Sequence, residues 1–409
     1  MSFPFKLPML LDGATATNLT AAGMPKGVCP EKWISENPQK LLKLQSDFIA
    51  AGAQAVYAPT FGANRACLAN YGLEKETAEL NKKLAELSLS IAKPAGVLVG
   101  GDLCPTGLFV PPFGEADFDD IYDIYREQVR ALDDAGVDFF IIETQTSLAD
   151  MRAAVLAART TNLPVFVTIT IDESGHTLTG GSLLPTVITL QAMGADAIGL
   201  NCSFGPKSML EYIEEILPHV SVPILAKPST GLAMWNSPGG ENALSPEDFA
   251  EEMREIMKAG ARIVGGCCGT TPEHLKALAE VMKEFAPLLE LSEPDCYAAA
   301  NEREAFFLGD DILFSEPIEC TSSLGDDLID LDDERANAAL VEVNSLDDAM
   351  LLCENSTMTR LPIAVHCNSL PVLDAALRYF QGRLIIDSAC SIETELMEPL
   401  AAKYGAIIY

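Results

Sequence analysis

Two adjacent cysteines in a glycine-rich segment are the residues of this sequence best suited to chemistry. Cys267 and Cys268 stand in segment 262–270, which reads Arg-Ile-Val-Gly-Gly-Cys-Cys-Gly-Thr. Neighbouring residues of a regular strand point to opposite faces, so both sulfurs face one site only if the backbone bends there. The glycines supply backbone freedom for such a bend. The Thr-Pro-Glu that follows is typical of a helix start, so the segment predicts a strand, a turn with two thiols and a helix.

A third cysteine follows another apolar run. Cys202 comes directly after Asn201 and the strand-like residues 197–200. Zinc takes four ligands at structural sites, and three protein ligands plus an open position at catalytic sites. The alternative is a packed, reduced core cysteine, which is the more frequent case for Cys202 taken alone. For the adjacent pair, the polar and strained turn favours thiolates over packing. The three cysteines are therefore candidate zinc ligands.

The elements that must position these thiols alternate regularly along the chain. Strand-like and helical runs form eight successive pairs within about 285 residues. This count and length match a (β/α)8 barrel, and a doubly wound parallel sheet is the main alternative. In a barrel, the carboxyl ends of all strands meet at one mouth, where cysteines after strands six and eight can share a metal. Polar or thiol side chains follow many of the strands: Asp12, Thr60, Asn64, Asp102, Glu143, Asn201, Cys202, Cys267 and Cys268.

Composition excludes several classes of partner. The formal net charge of −32 argues against binding to nucleic acid or to an anionic membrane surface, because phosphate binding relies on Lys and Arg. No apolar run reaches the length of a membrane span, and the first residues lack the pattern of a secretory signal. Eleven scattered cysteines do not form a secreted disulfide framework. These features predict a cytoplasmic protein.

A second, smaller unit follows the predicted barrel. We expect the barrel in residues 1–288, a linker in 289–305 and an α/β unit in 306–409 with short strands near 312–314, 339–343, 363–365, 384–386 and 406–408. The unit is too short for a complete second barrel. Residues 290–409 hold 24 acidic and 6 basic residues, mostly a solvated surface. Because an incomplete barrel exposes strand edges, we also expect a homodimer mediated at least partly by this unit.

Three separated motifs resemble the homocysteine S-methyltransferase family. They are the Gly-Gly-Cys-Cys-Gly-Thr segment with Asn201 and Cys202 upstream, the Asp-Gly-Ala of residues 12–14, and the Thr-Phe-Gly-Ala-Asn-Arg of residues 60–65. The resemblance covers about residues 5–286. It implies a zinc-dependent barrel enzyme whose ligands are Cys202, Cys267 and Cys268.

The same resemblance implies where the substrate binds. Glu143 falls on the position that contacts the amino group of homocysteine. The other substrate-binding candidates are Asp12, Gly13, Ala14, Asn64 and Asn201. For the two carboxylates, the alternative is a buried, hydrogen-bonded group with a purely structural role.

The C-terminal unit has a resemblance of its own. Segment 362–388 resembles part of the pterin-binding domain that follows the homocysteine domain in cobalamin-dependent methionine synthase. His366 stands where that domain has an acidic residue, and Asp387 stands where it has an asparagine. These differences predict that the unit does not bind folate by itself, so a corrinoid or folate would come through a partner.

The implied reaction is transfer of a methyl group to the thiol of homocysteine, which gives methionine. The donor is a methylated corrinoid protein, methyltetrahydrofolate, S-methylmethionine or a betaine, and the pterin-like unit favours the corrinoid protein. Two other functions stay open at this point. One is methyl transfer to another thiol, and the other is a zinc-holding assembly subunit without catalysis.

Overall fold

The first part of the chain is a barrel of eight parallel strands. The computed structural model describes residues 3–230, 243–285, 297–309, 311–331 and 335–409. The barrel strands are β1 (Met9–Leu10), β2 (Ala55–Tyr57), β3 (Leu98–Leu103), β4 (Phe139–Gln145), β5 (Val165–Ile169), β6 (Ala197–Asn201), β7 (Ile224–Lys227) and β8 (Ile263–Val264). The first strand pairs with the last, in the order β1-β8-β7-β6-β5-β4-β3-β2. This order confirms the predicted (β/α)8 barrel and excludes a doubly wound sheet.

Helices surround the barrel. They are α1 (Thr15–Ala21), α2 (Pro30–Glu36), α3 (Pro38–Ala51), α4 (Arg65–Ala69), α5 (Thr77–Ala92), α6 (Phe118–Ala135), α7 (Leu148–Ala158), α8 (Leu183–Ala192), α9 (Pro206–Ile216), α10 (Pro246–Lys258) and α11 (Pro272–Met282). Pro38 starts helix α3, and Gly52, with φ of 113°, ends it in the left-handed conformation. The short helices α1, α2 and α4 were not predicted, and they lie in the loops after β1 and β2.

The barrel closes between β1 and β2 through side chains as well as backbone. Gln54 N donates to Leu10 O at 2.7 Å, and Leu10 N donates to Gln54 Oε1 at 2.8 Å. One step further, Tyr57 N donates to Asp12 Oδ2 at 2.8 Å. A carboxylate thus accepts the bond that a strand carbonyl would accept in a regular ladder.

Aromatic and aliphatic side chains fill the amino-terminal half of the barrel. Phe139 and Phe166 are completely buried, and their ring centroids lie 4.7 Å apart. Phe3 and Phe5 pack against these rings from the amino-terminal side. Among the described residues this half of the barrel is packed, and a cavity lies toward the carboxyl ends of the strands.

The C-terminal unit contains a hairpin and a five-stranded parallel sheet. The hairpin pairs β9 (Ala298–Ala300) with β10 (Ala305–Phe307). The sheet has the order β11 (Ile318–Glu319), β12 (Ala339–Glu342), β13 (Ile363–His366), β14 (Ile385–Ile386) and β15 (Ile407–Ile408). Its helices are α12 (Leu324–Asp330), α13 (Leu346–Glu354), α14 (Leu370–Tyr379) and α15 (Thr394–Tyr404).

Two details of this unit differ from the sequence expectation. Strand β9 lies inside the predicted linker 289–305 and packs on Ile188 of α8, so that part of the range is ordered structure on the barrel. Residues 289–296 of that linker lie outside the described residues. In place of a strand at 312–314 there is a single bridge from Phe314 to Ala338, and the edge strand is β11.

The unit docks on the outside of the barrel, against α6 and α7. The Arg152 guanidinium of α7 is completely buried and donates to Leu377 O at 2.7 Å and to Arg378 O at 3.0 Å. Phe118 meets Tyr379 edge to face, with ring centroids 6.5 Å apart. A buried cation that binds two carbonyls of α14 fixes the orientation of this contact.

Candidate active site and metal centre

The three predicted zinc ligands lie together at the barrel mouth. The Sγ atoms of Cys202, Cys267 and Cys268 all lie within 4.8 Å of one another, and those of Cys202 and Cys268 are 3.5 Å apart. Tetrahedral zinc with bonds of about 2.3 Å separates two sulfurs by about 3.8 Å. The thiols therefore fit a zinc ion with small side-chain movements.

Cys202 is held in place by a strained backbone. Its φ is 62°, and Thr144 at the end of β4 has φ of 58°; both values are uncommon outside glycine. Asn201 joins the two positions, because its Oδ1 accepts from Thr144 N at 3.0 Å and its Nδ2 donates to Thr144 Oγ1 at 2.7 Å. Cys202 N donates to Lys227 O at 3.1 Å. Strain of this kind persists where the surroundings fix it, typically at functional sites.

The turn that carries the other two thiols depends on close packing more than on backbone freedom. Only Gly269 of its glycines has a positive φ, at 85°. A Cβ on Gly265 would collide with Asp12 O, and one on Gly266 would collide with the Thr270 side chain. Cys267 N donates to Pro228 O at 2.8 Å, so the turn is tied to the loop after β7. The predicted bend exists. Gly265 and Gly266 are needed there because no side chain fits between the turn and its neighbours, and not because of their backbone conformation.

The thiols open into one cavity of about 360 Å³. Its wall combines the turn after β8 with residues at or beyond the carboxyl ends of β1, β2, β3, β4, β6 and β7. It is formed by Gly13, Ala14, Thr15, Ala16, Thr17, Leu19, Met24, Pro30, Glu31, Ile34, Tyr57, Ala58, Pro59, Phe61, Asp102, Glu143, Thr144, Cys202, Lys227, Gly266, Cys267 and Cys268. Among the described residues, none of the C-terminal unit contributes to this wall.

Two carboxylates on the wall have unsatisfied oxygens. Among the described residues, Asp102 Oδ1 and Glu143 Oε2 are buried and accept no hydrogen bond. Burial raises the pKa of Glu143 to about 6. Burial, and then the charge of Glu143, raise the pKa of Asp102 well above its ordinary value. These two oxygens face the cavity, so a ligand that binds there can supply donors to them.

Lys227 is a central residue of the site that the sequence reading missed. Its Nζ lies 3.1 Å from Asp12 Oδ1 and 4.0 Å from Glu143 Oε2. It also lies 3.7 Å from the centre of the Tyr57 ring. Burial alone lowers its pKa, but Tyr57, Asp12 and Glu143 outweigh burial and hold the pKa well above its ordinary value. Lys227 lies at the carboxyl end of β7, and the carboxyl ends of all barrel strands meet at the mouth. The same rule that predicted the cysteines could therefore have predicted Lys227.

Asp12 belongs to the framework and not to the cavity wall. Its two oxygens bind Lys227 Nζ and Tyr57 N, so both are used in closing the barrel. Its neighbours Gly13 and Ala14 do line the cavity. Ala14 N already donates to Thr270 Oγ1 at 3.1 Å.

The two predicted asparagines also have structural partners. Asn64 is completely buried and absent from the cavity wall. Its Oδ1 caps α4 by accepting from Cys67 N at 2.9 Å, and its Nδ2 donates to Cys104 Sγ at 3.3 Å. Asn201 likewise holds the ends of β4 and β6 together. His274 forms a capping box with Thr271 at the start of α11.

Comparisons with known proteins agree with this geometry. The family model described as homocysteine S-methyltransferase matches residues 9–282. Methionine synthase of Mycobacterium tuberculosis is 28% identical over 98% of this chain and 37% of its own length. Methionine synthase of Mycobacterium leprae is 28% identical over 93% of this chain and 35% of its own. The chain therefore spans about a third of the length of these curated relatives.

A solved structure matches the barrel. The metallated form of the homocysteine methyltransferase MmuM from Escherichia coli is 26% identical, with a TM-score of 0.56, over 66% of this chain and 95% of that protein. The family match, the barrel and the three converging thiols lead to one conclusion. This chain belongs to the homocysteine S-methyltransferase family.

Proposed function

We propose that this protein transfers a methyl group to the sulfur of homocysteine and forms methionine. One observation carries the proposal: a single cavity joins three thiols to two carboxylates with unsatisfied oxygens. The thiols suit the sulfur end of the substrate through a metal, and the carboxylates suit its ammonium end. An amino acid that carries a thiol has both groups.

The chemistry needs a deprotonated sulfur. A thiol with a pKa of about 8.5 is mostly protonated at neutral pH, and the thiolate is the nucleophile. Cys202, Cys267 and Cys268 would hold a zinc ion here, and that ion would supply the activation of the substrate thiol by lowering its pKa. The substrate proton goes to solvent, the sulfur forms the new S–CH3 bond, and the bond between methyl and donor breaks.

The chain's own residues bind and orient the amino acid. Asp102 and Glu143 offer free carboxylate oxygens to the substrate ammonium. Lys227 lies behind Glu143, and its charge offsets part of the negative charge of Asp12, Glu143 and the thiols. A charge-assisted hydrogen bond to the ammonium contributes about 1.5–3 kcal/mol.

We propose a methylated corrinoid protein as the donor. The alignment with relatives named methionine synthase extends over 98% of this chain and so includes the C-terminal unit. No described residue of that unit lines the cavity, which is compatible with a partner that docks over the mouth. Methyltetrahydrofolate, S-methylmethionine and betaine are the other donors to test.

No described helix has both the length and the apolar character that membrane crossing requires.

The test is a direct assay of methionine formation with the zinc-loaded chain. Homocysteine is combined in turn with methylcobalamin, S-methylmethionine, methyltetrahydrofolate and betaine. We expect methionine with methylcobalamin, and none when Cys267→Ala is used. Product formed from another thiol, and not from homocysteine, would favour a different acceptor. Failure with every donor would favour a zinc-holding assembly subunit.

The remaining expectations concern location and assembly. No disulfide joins the cysteines that the structure describes, which fits the proposed cytoplasmic location. The predicted homodimer would pair the edge strands β11 and β15, which end the described five-stranded sheet. The solution mass of the full chain decides this point, and a monomer would contradict the prediction.

A further inference from the structure

A second group of metal-ligating side chains lies in the C-terminal unit. His366 ends β13, Asp387 follows β14, and Cys390 lies in the turn beyond it. One ligand atom from each lies within 4.8 Å of the other two. Asp387 Oδ2 is 2.7 Å from His366 Nδ1, and Cys390 Sγ is 3.9 Å from the same nitrogen. The proposed methyl transfer uses none of the three.

Asp387 and Cys390 both approach His366 Nδ1, and this arrangement distinguishes a metal site from a catalytic cysteine. A catalytic cysteine and its orienting carboxylate use opposite nitrogens of the histidine ring, whereas here both face Nδ1. A tetrahedral zinc ion separates nitrogen from oxygen by about 3.3 Å and nitrogen from sulfur by about 3.6 Å. The spacings of 2.7 Å and 3.9 Å differ from these zinc separations by about 0.6 Å and about 0.3 Å. The cluster therefore suits a shared cation and not a nucleophile.

Backbone groups hold two of the candidate ligands. Asp387 Oδ1 accepts from Ala389 N at 2.9 Å, which leaves Oδ2 directed at His366. Cys390 Sγ accepts from Cys367 N at 3.1 Å. An N–H bond to sulfur stabilises the thiolate that a metal needs. Asp387 and Cys390 are thus positioned before any cation binds.

The amide of Asn368 holds the third candidate ligand. Asn368 Nδ2 lies 3.2 Å from His366 Nε2, while its Oδ1 accepts from Ser391 N at 2.6 Å. Coordination through Nδ1 puts the ring proton on Nε2, so the amide must rotate and accept it. This rotation takes Asn368 Oδ1 away from Ser391 N. Because Ser391 is exposed, water can replace the lost acceptor.

The charge around the cluster favours a cation. Glu342 on β12 is the register partner of His366, and Glu319 on β11 is the partner of Glu342. Four neighbouring strand ends therefore carry three acids and one imidazole. Residues 290–409 hold 24 acidic and 6 basic residues, and such a surface attracts divalent cations and repels anions. The His366 side chain is 26% exposed, so an ion can reach it from solvent.

We propose that His366, Asp387 and Cys390 form a second zinc site, separate from the barrel thiols. Nitrogen, oxygen and sulfur donors together suit zinc better than magnesium or calcium, which take oxygen ligands. The carboxylate of Asp387 and the thiolate of Cys390 together balance the charge of +2 on the zinc ion.

The experiment counts zinc in the full-length chain, with Zn²⁺ alone as the probe. Each variant is loaded, dialysed against a weak chelator, checked for folding by circular dichroism and analysed for metal. Wild type should hold two equivalents, and Cys390→Ser or Cys267→Ala should each hold one. The double variant should hold none. Cys320→Ser, a matched change in the same unit outside the cluster, should keep two.

Two results would overturn the proposal. One is a Cys267→Ala chain that holds no zinc. The other is a Cys267→Ala chain whose zinc remains after His366→Gln or Cys390→Ser, because the ion would then bind elsewhere. Cobalt substitution gives a second readout for folded variants. The thiolate-to-cobalt absorption that remains in Cys267→Ala should disappear when Cys390→Ser is added, and its persistence would contradict the site.

Discussion

The barrel and the C-terminal unit both place polar and thiol side chains at the carboxyl ends of parallel strands, but they surround them differently. In the barrel, strands from all around the circle contribute to one cavity of about 360 Å³. In the C-terminal unit, the cluster joins β13, β14 and the turn that follows. Its His366 is 26% exposed, whereas the side chain of Lys227 in the barrel is 4% exposed.

The difference shows what barrel closure contributes. The cysteines after β6 and β8 lie on either side of β7, and closure adds Tyr57 of β2 and Asp102 of β3 to the same cavity. It also buries acids whose charges only a shared lysine and a ligand can balance. An open sheet brings together only neighbouring strand ends, so its cluster stays small and accessible. We therefore expect changes in the barrel to have larger effects on activity and stability.

The largest effect should come from the barrel thiols. Cys267→Ala should remove the barrel zinc and reduce methionine formation to the uncatalysed rate, because the substrate thiol then stays protonated. Enzyme assay and metal analysis of the same preparation measure both losses. Cys390→Ser, the corresponding change in the cluster of the C-terminal unit, should leave methyl transfer unchanged. Equal losses of activity in the two variants would show that the two sites do not differ in this way.

The next effect tests the charge network beneath the cavity. Lys227→Met leaves the buried Asp12 carboxylate without its cation, and loss of one partner of a buried pair costs about 3–5 kcal/mol. Urea denaturation at neutral pH measures the free energy of unfolding. Adding Asp12→Asn should restore part of the loss, since it removes the closer of the two carboxylates that Lys227 balances and leaves only Glu143. Additive losses in the double variant would show that the pair does not act as a unit.

Much of this site could be predicted from the sequence because strand ends in a barrel follow a simple geometric rule. That rule found the three cysteines and Glu143 without contact information. It missed Lys227 because a lysine at a strand end is usually read as the start of an exposed loop. It placed Asn64 in the site because the residue type fits, although the side chain turns back to cap α4.

The parts of the fold that depend on local sequence were predictable, whereas the parts that depend on long-range contacts were not. Proline and glycine mark the ends of α3, so its bounds follow from local chemistry. The hairpin of β9 and β10 was missed because Ala298–Ala300 has no β-branched or aromatic residue, and its strand conformation depends on packing against α8. The role of Asp12 in closing the barrel depends on long-range contacts, which one sequence does not reveal.

A smaller effect should follow from the carboxylate that faces the substrate. Glu143→Gln should weaken homocysteine binding by about 1.5–3 kcal/mol, roughly ten- to a hundredfold in Kd. Zinc should stay bound, because Glu143 is not among the converging ligands. Titration calorimetry of zinc-loaded protein measures the affinity. An unchanged Kd would give Glu143 a structural role only.

The smallest effect concerns pH. The pKa of Glu143 is raised to about 6, so the carboxylate is ionised above that pH and neutral below it. Affinity for a ligand ammonium should therefore fall as pH decreases through about 6, by up to about tenfold per pH unit. Methionine is the suitable ligand, since its thioether has no proton to lose. The Glu143→Gln variant should lack this dependence, and an identical profile would assign the titration to another group.

The most direct test of the account examines the sulfur coordination of the barrel zinc. X-ray absorption at the zinc edge is measured on the Cys390→Ser chain, which should hold zinc only at the barrel thiols. We predict three sulfur ligands without substrate and four after L-homocysteine is added. A sulfur count that does not rise with homocysteine would contradict the claim that these thiols bind and activate the substrate sulfur.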